Sequence, residues 1–282
     1  MDLYCVMGNP INHSRSPWIH ARFAELTGQT LHYGRRLIPL NGFAAEVRTF
    51  FSQGGQGCNI TVPFKFEAAA LADRHSERAT LAGAANMLTL RDGKLLADNT
   101  DGAGLVRDIE CNAGVELQGR HLLLIGAGGA AAGVLGPLLL SRPASITVAN
   151  RTLAKAHALV ARHAALAAQQ GTELRAQGLQ SLSTGFDVLI NASSSSLTGS
   201  ALAVAASTLG PGALAYDMMY GSAAQGFMNW AQQHGAQARD GLGMLVEQAA
   251  EAFMIWRGVR PPAQQVLAEL RLLMAWPEES ER

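Results

Sequence analysis

Gly126, Gly128 and Ala131 follow the aliphatic run 122–125 in the spacing G-x-G-x-x-A. The first glycine permits a tight turn after a strand. The second lets backbone N–H groups approach a phosphate, and the small third residue lets helix and strand pack closely. The helix that follows turns its positive end toward an anion. This turn is therefore a candidate to cradle a pyrophosphate. A site of this kind that reads an unmodified ribose places an acid about twenty residues later. Here that place holds Asn150-Arg151-Thr152, with no acid, and Lys155 stands one helical turn on. A guanidinium favours phosphate oxygens where a carboxylate would repel them. Asn-Arg-Thr is also an ordinary helix cap, and the two roles are compatible. The missing acid thus predicts a dinucleotide carrying a 2′-phosphate, NADP.

Four further polar clusters lie in the first half of the chain. The segment 12–17, NHSRSP, offers Ser14 and Ser16 ahead of a helix, a setting that suits a carboxylate. The segment 59–65, NITVPFK, supplies Asn59, Thr61 and Lys65, and GAAN ends at Asn86. DNTDG, 98–102, supplies Asp98, Asn99 and Asp101. Taken singly, such residues are caps and turn formers. Their joint position at the ends of predicted strands and hairpins marks a small polar pocket.

The elements that must position these residues alternate. Strands are expected at 3–8, 32–40 and 57–64, the last broken by Pro63, and helices at 16–28, 42–55, 65–72 and 76–84. A hairpin is expected over 86–101 around Asp92-Gly93. This order favours an α/β layer with mostly parallel pairing. After a helix at 101–114 come strand 121–125, helix 130–141, strand 145–149, helix 153–170, strand 186–190 and strand 213–217. That is a doubly wound pattern. The segment 171–182 is ambiguous and 192–200 reads as a Ser-rich loop. Helices follow at 226–235, 243–257 and 262–275.

The bulk numbers exclude several classes. The 282 residues carry 22 basic and 22 acidic side chains, so the formal net charge is zero and nucleic acid and anionic membranes are not expected partners. No run of about eighteen uninterrupted apolar residues predicts a membrane span, and the N-terminus lacks the basic start and apolar run of a signal peptide. Cys5, Cys58 and Cys111 are odd in number and far apart, which argues against a disulfide framework or a zinc site. Cys5 and Cys58 read as packed free thiols, and a cytoplasmic location is expected.

The motifs MGNPINHSRSP, NITVPFK, LAGAAN, DNTDG, IGAGGAAAG, NRT, YDMMY and DGLGMLVEQA occur in one order along nearly the whole chain. In that order the sequence resembles the shikimate dehydrogenases, in particular the monofunctional bacterial type that uses NADP. The resemblance implies a two-domain α/β fold. Residues 1–103 would form the substrate domain and 104–240 the Rossmann-type NADP domain. Residues 241–282 would be helices that return to the first domain, leaving a cleft between the lobes. It implies that Ser14 and Ser16, helped by Tyr220, hold a carboxylate, and that Asn59, Thr61, Asn86 and Gln248 bind ring hydroxyls. Lys65 and Asp101 would be the catalytic pair, with Asp101 orienting Lys65. Gly126, Gly128, Gly129 and Ala130 would form the phosphate turn, Asn150, Arg151, Thr152 and Lys155 the adenosine phosphate site, and Met218 and Gly241 the nicotinamide wall. No metal is implied, and a monomer or homodimer is expected. Met87, Ser193 and Ser196 stand where the family usually has other residues.

The implied reaction is reversible reduction of 3-dehydroshikimate to shikimate by NADPH. Three rivals have sequence features against them. A quinate dehydrogenase needs room near Ser14 and Ser16, where a second serine stands, and Arg151 speaks against its common NAD preference. A non-catalytic sensor on the same fold is expected to lack the Lys65–Asp101 pair. A Rossmann enzyme for folate or tRNA-linked substrates does not account for the first-half motifs.

Overall fold

The computed structural model describes residues 1–193 and 204–275. The described chain forms two compact units. One comprises Met1–Thr80, Ala84–Thr100 and the residues from Leu245 onward; the other comprises Leu81–Gly83 and Asp101–Met244.

The first unit begins with β1 (Asp2–Gly8), α1 (Ser16–Thr27), β2 (Leu31–Leu37), α2 (Phe43–Ser52) and β3 (Gly55–Ile60). Then come α3 (Lys65–Leu71), β4 (Arg74–His75), α4 (Glu77–Ala82), β5 (Met87–Arg91) and β6 (Lys94–Asp98). The strand order is β2-β1-β3-β5-β6-β4. Pairing is mostly parallel, as expected, in β1–β2, β1–β3 and β4–β6, while β5 runs antiparallel to both β3 and β6. Asp92 and Gly93 make that hairpin possible, with φ of 53° and 70° at its two turn residues. The ladder of β3 stops at Ile60 rather than 64, since Pro63 has no N–H to donate. Pro17 opens α1, and Gly28 closes it in the left-handed region at φ 63°.

From Tyr4 onward β1 is buried along its length, as a strand covered on both faces must be. Cys5 and Met7 face a core with Phe43, Phe50, Cys58 and Phe64. Tyr4 and Val6 face the other side with Tyr33 and Trp256. Trp256 sits on α9 (Leu242–Arg257), and its indole N–H donates to Thr89 Oγ1 at 2.9 Å. Helix α10 (Ala263–Ala275) is tied to α1 by a two-pronged ion pair, Arg22 to Glu269, at 2.7 and 3.0 Å.

The second unit opens with α5 (Asp101–Arg107), which passes into a π-helical turn over Asp108–Asn112; the expected single helix 101–114 is thus two kinds of turn. There follow β7 (His121–Ile125), α6 (Gly129–Leu140), β8 (Ser145–Asn150), α7 (Leu153–Gln170), β9 (Glu173–Gly178), β10 (Phe186–Asn191), β11 (Leu209–Asp217), α8 (Gln225–Gln233) and β12 (Gln237–Arg239). All pairs are parallel, in the order β12-β11-β10-β7-β8-β9. Reading from β9, this is the doubly wound order 3-2-1-4-5-6, with its switch point between β7 and β10. The ambiguous segment 171–182 contains β9, a half-exposed strand whose polar residues hide its period. Strands β4 and β12 carry no sequence signal, being two and three residues long and mostly polar. Of the Ser-rich loop, Ser196 and its neighbours over 194–203 lie outside the described residues.

One buried charge pins this unit. Asp108 is fully buried and accepts from the Tyr216 hydroxyl at 2.7 Å and from Arg239 Nε and Nη2 at 2.9 and 2.6 Å. A side chain at Gly243 would run into the same carboxylate. Asp108→Ala strands a guanidinium and a phenol, and is expected to cost about 3 kcal/mol. In urea unfolding the midpoint should fall while the slope stays unchanged.

Candidate functional site

Within the first unit the polar residues converge on Asn86. It sits at the entry to β5, 2% exposed. Its carbonyl accepts from the Ile60 N–H at 2.7 Å and from Asn59 Nδ2 at 3.3 Å. Its Nδ2 donates to Thr100 Oγ1 at 2.9 Å and to Gln248 Oε1 at 3.1 Å, and its Oδ1 accepts from the Thr100 N–H at 2.8 Å. Four chain segments thus meet at one residue: the end of β3, the start of β5, the segment after β6, and α9. Asn59, Thr100 and Gln248 are themselves buried. Gln248 Nε2 is held by the Leu245 carbonyl at 2.8 Å, which leaves its oxygen to face Asn86.

The segment carrying Thr100 is fixed from behind. Arg78 grips Asp98 with two bonds of 2.6 and 2.9 Å, and Ser76 donates to the same carboxylate at 2.6 Å. Burial works against the Asp98 carboxylate, but these donors prevail and hold it below the usual carboxylate range. Asn99 is anchored by the Ala84 carbonyl at 2.9 Å.

Ser14 lies between β1 and α1, and Ser16 is the buried first residue of α1. The Ser16 N–H donates to Ser14 Oγ at 3.3 Å. Ser14 is held by its backbone, whose carbonyl receives Arg35 at 3.0 and 2.7 Å. Thr61 and Lys65 are half-buried, and Lys65 begins α3 with its carbonyl bonded to the Ala85 N–H at 2.8 Å. Met87 is buried, in register with Asn59.

The second unit carries the other candidates at the C-terminal ends of its parallel strands. Gly126 follows β7 with φ 118°, and its N–H donates to the Ala149 carbonyl at 2.7 Å. A Cβ there would lie 2.9 Å from the Ala192 carbonyl oxygen, so only glycine fits where the chains after β7 and β10 diverge. Gly128 has open space where a Cβ would stand, and no side chain caps α6, which begins at Gly129 and Ala130. The donors of a first helical turn need partners, and an anion can supply them. After β8, Asn150 Nδ2 closes a turn onto the Thr152 carbonyl at 2.9 Å. Thr152 precedes α7 without a side-chain cap, while Arg151, Thr152 and Lys155 are all exposed. The capping role open to this motif is therefore not used, and its hydroxyl and cations face solvent.

Asp217 and Asn191, buried at the ends of β11 and β10, were not singled out from sequence. Asn191 Nδ2 donates to Asp217 Oδ2 at 3.2 Å, Asp217 Oδ1 accepts from the Met219 N–H at 2.9 Å, and Ser193 Oγ donates to Asn191 at 2.7 Å. This pair sets the backbone of Met218, whose N–H donates to the Asn191 carbonyl at 3.0 Å. Gly241 lies so close to the Met218 carbonyl that no side chain fits, and Tyr220 follows, half-buried. The chain signal for both was their place in the quoted motifs, beyond the last residue of a strand. Asp101 is buried at the first position of α5. Among the described residues no group of His, Cys, Asp and Glu has the arrangement of a metal site.

Three family models match the chain. Residues 6–88 match the shikimate dehydrogenase substrate binding domain, 109–200 match shikimate / quinate 5-dehydrogenase, and 241–271 match the shikimate 5′-dehydrogenase C-terminal domain. The chain is 67% identical to a shikimate dehydrogenase (NADP(+)) of Acidovorax sp. strain JS42, with 97% of each chain covered. Among solved structures it is similar to an Ael1 enzyme from Pseudomonas putida, at 48% identity and TM-score 0.88, covering 96% of this chain and 98% of that one. It is also similar to the shikimate 5-dehydrogenase of Thermus thermophilus in complex with NADP(H) and shikimate, at 29% identity and TM-score 0.84, covering 96% and 99%. The chain belongs to the shikimate dehydrogenase family.

Proposed function

We infer that this chain catalyses the reversible NADPH-dependent reduction of 3-dehydroshikimate to shikimate, a step of the shikimate pathway of aromatic amino acid biosynthesis. The observation that carries the reading is a pairing within one chain. A buried amide cluster suited to hydroxyls occurs with an uncapped glycine turn that is followed by exposed Arg151 and Lys155.

The cofactor supplies the hydride when bound; the residues that hold it are those the structure leaves open for an anion. Gly126, Gly128, Gly129 and Ala130 take the pyrophosphate, and Asn150, Arg151, Thr152 and Lys155 the 2′-phosphate. Met218 and Gly241 line the nicotinamide.

On the substrate, Ser14, Ser16 and Tyr220 receive the carboxylate. Asn59, Thr61, Asn86 and Gln248 receive the hydroxyls. A ring hydroxyl can replace the 3.1 Å bond between Asn86 and Gln248, because it accepts from Asn86 Nδ2 with its oxygen and donates to Gln248 Oε1 with its proton. The amides so exchange a mutual bond for two to the ligand, and no buried donor is left unmade. As the carbonyl oxygen of 3-dehydroshikimate gains charge, Lys65 stabilises it and donates a proton; in the oxidative direction Lys65 accepts one. The Asp101 carboxylate accepts a bond from a neighbouring substrate hydroxyl and helps fix the geometry of proton transfer.

We place the protein in the cytoplasm as a monomer or homodimer. Its three free cysteines suit a reducing compartment, and burial pushes the Cys5 thiol up to about 12, where it stays protonated.

Lys65→Ala should lower kcat by roughly 10²- to 10⁴-fold with little change in KM for shikimate. A rise in KM with kcat intact would remove Lys65 from the chemistry. Arg151→Ala should raise KM for NADP+ by about tenfold or more and leave NAD+ turnover nearly unchanged. Equal losses with both cofactors would put the 2′-phosphate elsewhere.

A further inference from the structure

Behind Asn59 lies a group that no part of the reaction above uses. Tyr33, on β2, is 7% exposed, and its hydroxyl donates to Asn59 Oδ1 at 2.6 Å. The other end of the same amide, Nδ2, donates to the Asn86 carbonyl at 3.3 Å. The two bonds fix which end of Asn59 is which. One lone pair and one N–H remain for a ligand.

Tyr33 is held by an unusual neighbour. The His20 imidazole lies flat on its ring, with centroids 4.1 Å apart and planes 5° from parallel. His20 is fully buried, and among the described residues neither of its ring nitrogens has a hydrogen-bond partner. Phe23, Phe253 and Trp256 pack around it at centroid distances of 5.9, 6.1 and 5.6 Å. Burial drives its pKa down to about 3, against a smaller opposing effect of nearby Asn59, so the ring is neutral at any working pH. An unpartnered imidazole in a core is costly. What it provides here is a flat, neutral plate with one face against the Tyr33 ring.

We propose that Tyr33, seated on His20, is a positioning residue for shikimate: it fixes the Asn59 amide so that its remaining donor and acceptor face a ring hydroxyl. The inference rests on the assignment of Asn59 to the substrate given above. Tyr33 touches no reacting atom in this scheme. Its contribution is made equally in the ground state and the transition state, so its loss appears in KM rather than in kcat.

The test is a double-mutant cycle on the full chain with Tyr33→Phe, Asn59→Ala and the double variant, by steady-state kinetics with shikimate and NADP+. Phenylalanine keeps the ring and its stacking on His20 and removes only the hydroxyl. Tyr33→Phe should raise KM for shikimate by about tenfold, with kcat within about twofold and KM for NADP+ unchanged. Added to Asn59→Ala it should have almost no further effect. Losses that add in the double variant would overturn the proposal, as would an unchanged KM in Tyr33→Phe. So would a loss shared by kcat and both KM values together with a lower melting temperature, which marks a general packing role. If Asn59→Ala itself left KM for shikimate unchanged, the substrate assignment of Asn59 would fall and the proposal with it. If Asn59→Ala raised KM and Tyr33→Phe did not, only the role of Tyr33 would fall.

Discussion

A buried asparagine must satisfy both its side-chain amide and its backbone carbonyl, and Asn86 does so by joining the end of β3, the segment after β6 and α9 to the start of β5. Leaving any of these groups unpaired would cost on the order of 1–3 kcal/mol. The pieces are therefore held not by general hydrophobic burial but by directional bonds whose ends are fixed. The consequence is a buried polar cluster of defined donor and acceptor sense. Apolar packing around it, from Phe43 and Phe64 on one side of the sheet and Tyr33 and Trp256 on the other, supplies cohesion. The amides supply discrimination. A site built from buried hydrogen-bonding groups rejects a ligand that lacks the matching hydroxyl far better than an apolar site rejects a methylene.

The second unit solves a different problem with different means. A multiply charged anion needs donors that are already aligned and not otherwise engaged. The glycine turn after β7 and the uncapped start of α6 present backbone N–H groups in that state. The cations proposed for a further phosphate, Arg151 and Lys155, are exposed on the next loop and the first turn of α7, where they cost little. The interior of this unit holds its own directional constraints, Asp108 with Tyr216 and Arg239, and Asp217 with Asn191. The latter pair sits at strand ends and shapes the loop that carries Met218 and Gly241.

Much of this was legible in the sequence, for identifiable reasons. At the β7 turn a positive φ and a close backbone approach both require glycine at Gly126, so that residue speaks for itself. The hairpin at Asp92-Gly93 is equally local. The candidate residues Ser14, Ser16, Asn59 and Asn86 stand in short motifs at the ends of elements. What stayed hidden were pairings across long separations. Tyr33 with Asn59, Thr100 with Asn86, and Asn191 with Asp217 are each 14 to 26 residues apart, and nothing in their own neighbourhoods announces a partner. The antiparallel pairing of β5 with β3 and the polar strands β9 and β12 were hidden likewise, because tertiary pairing overrides local pattern there.

The central claim is that one chain joins a hydroxyl-reading pocket to a site for the 2′-phosphorylated dinucleotide. It is tested most directly by following NADPH or NADH absorbance with shikimate or quinate, each paired with NADP+ or NAD+. The account predicts efficient turnover with shikimate and NADP+, and much weaker turnover in the other three pairings. Preference for NAD+ or for quinate, or no turnover in any pairing by folded protein that still binds NADPH, would contradict it.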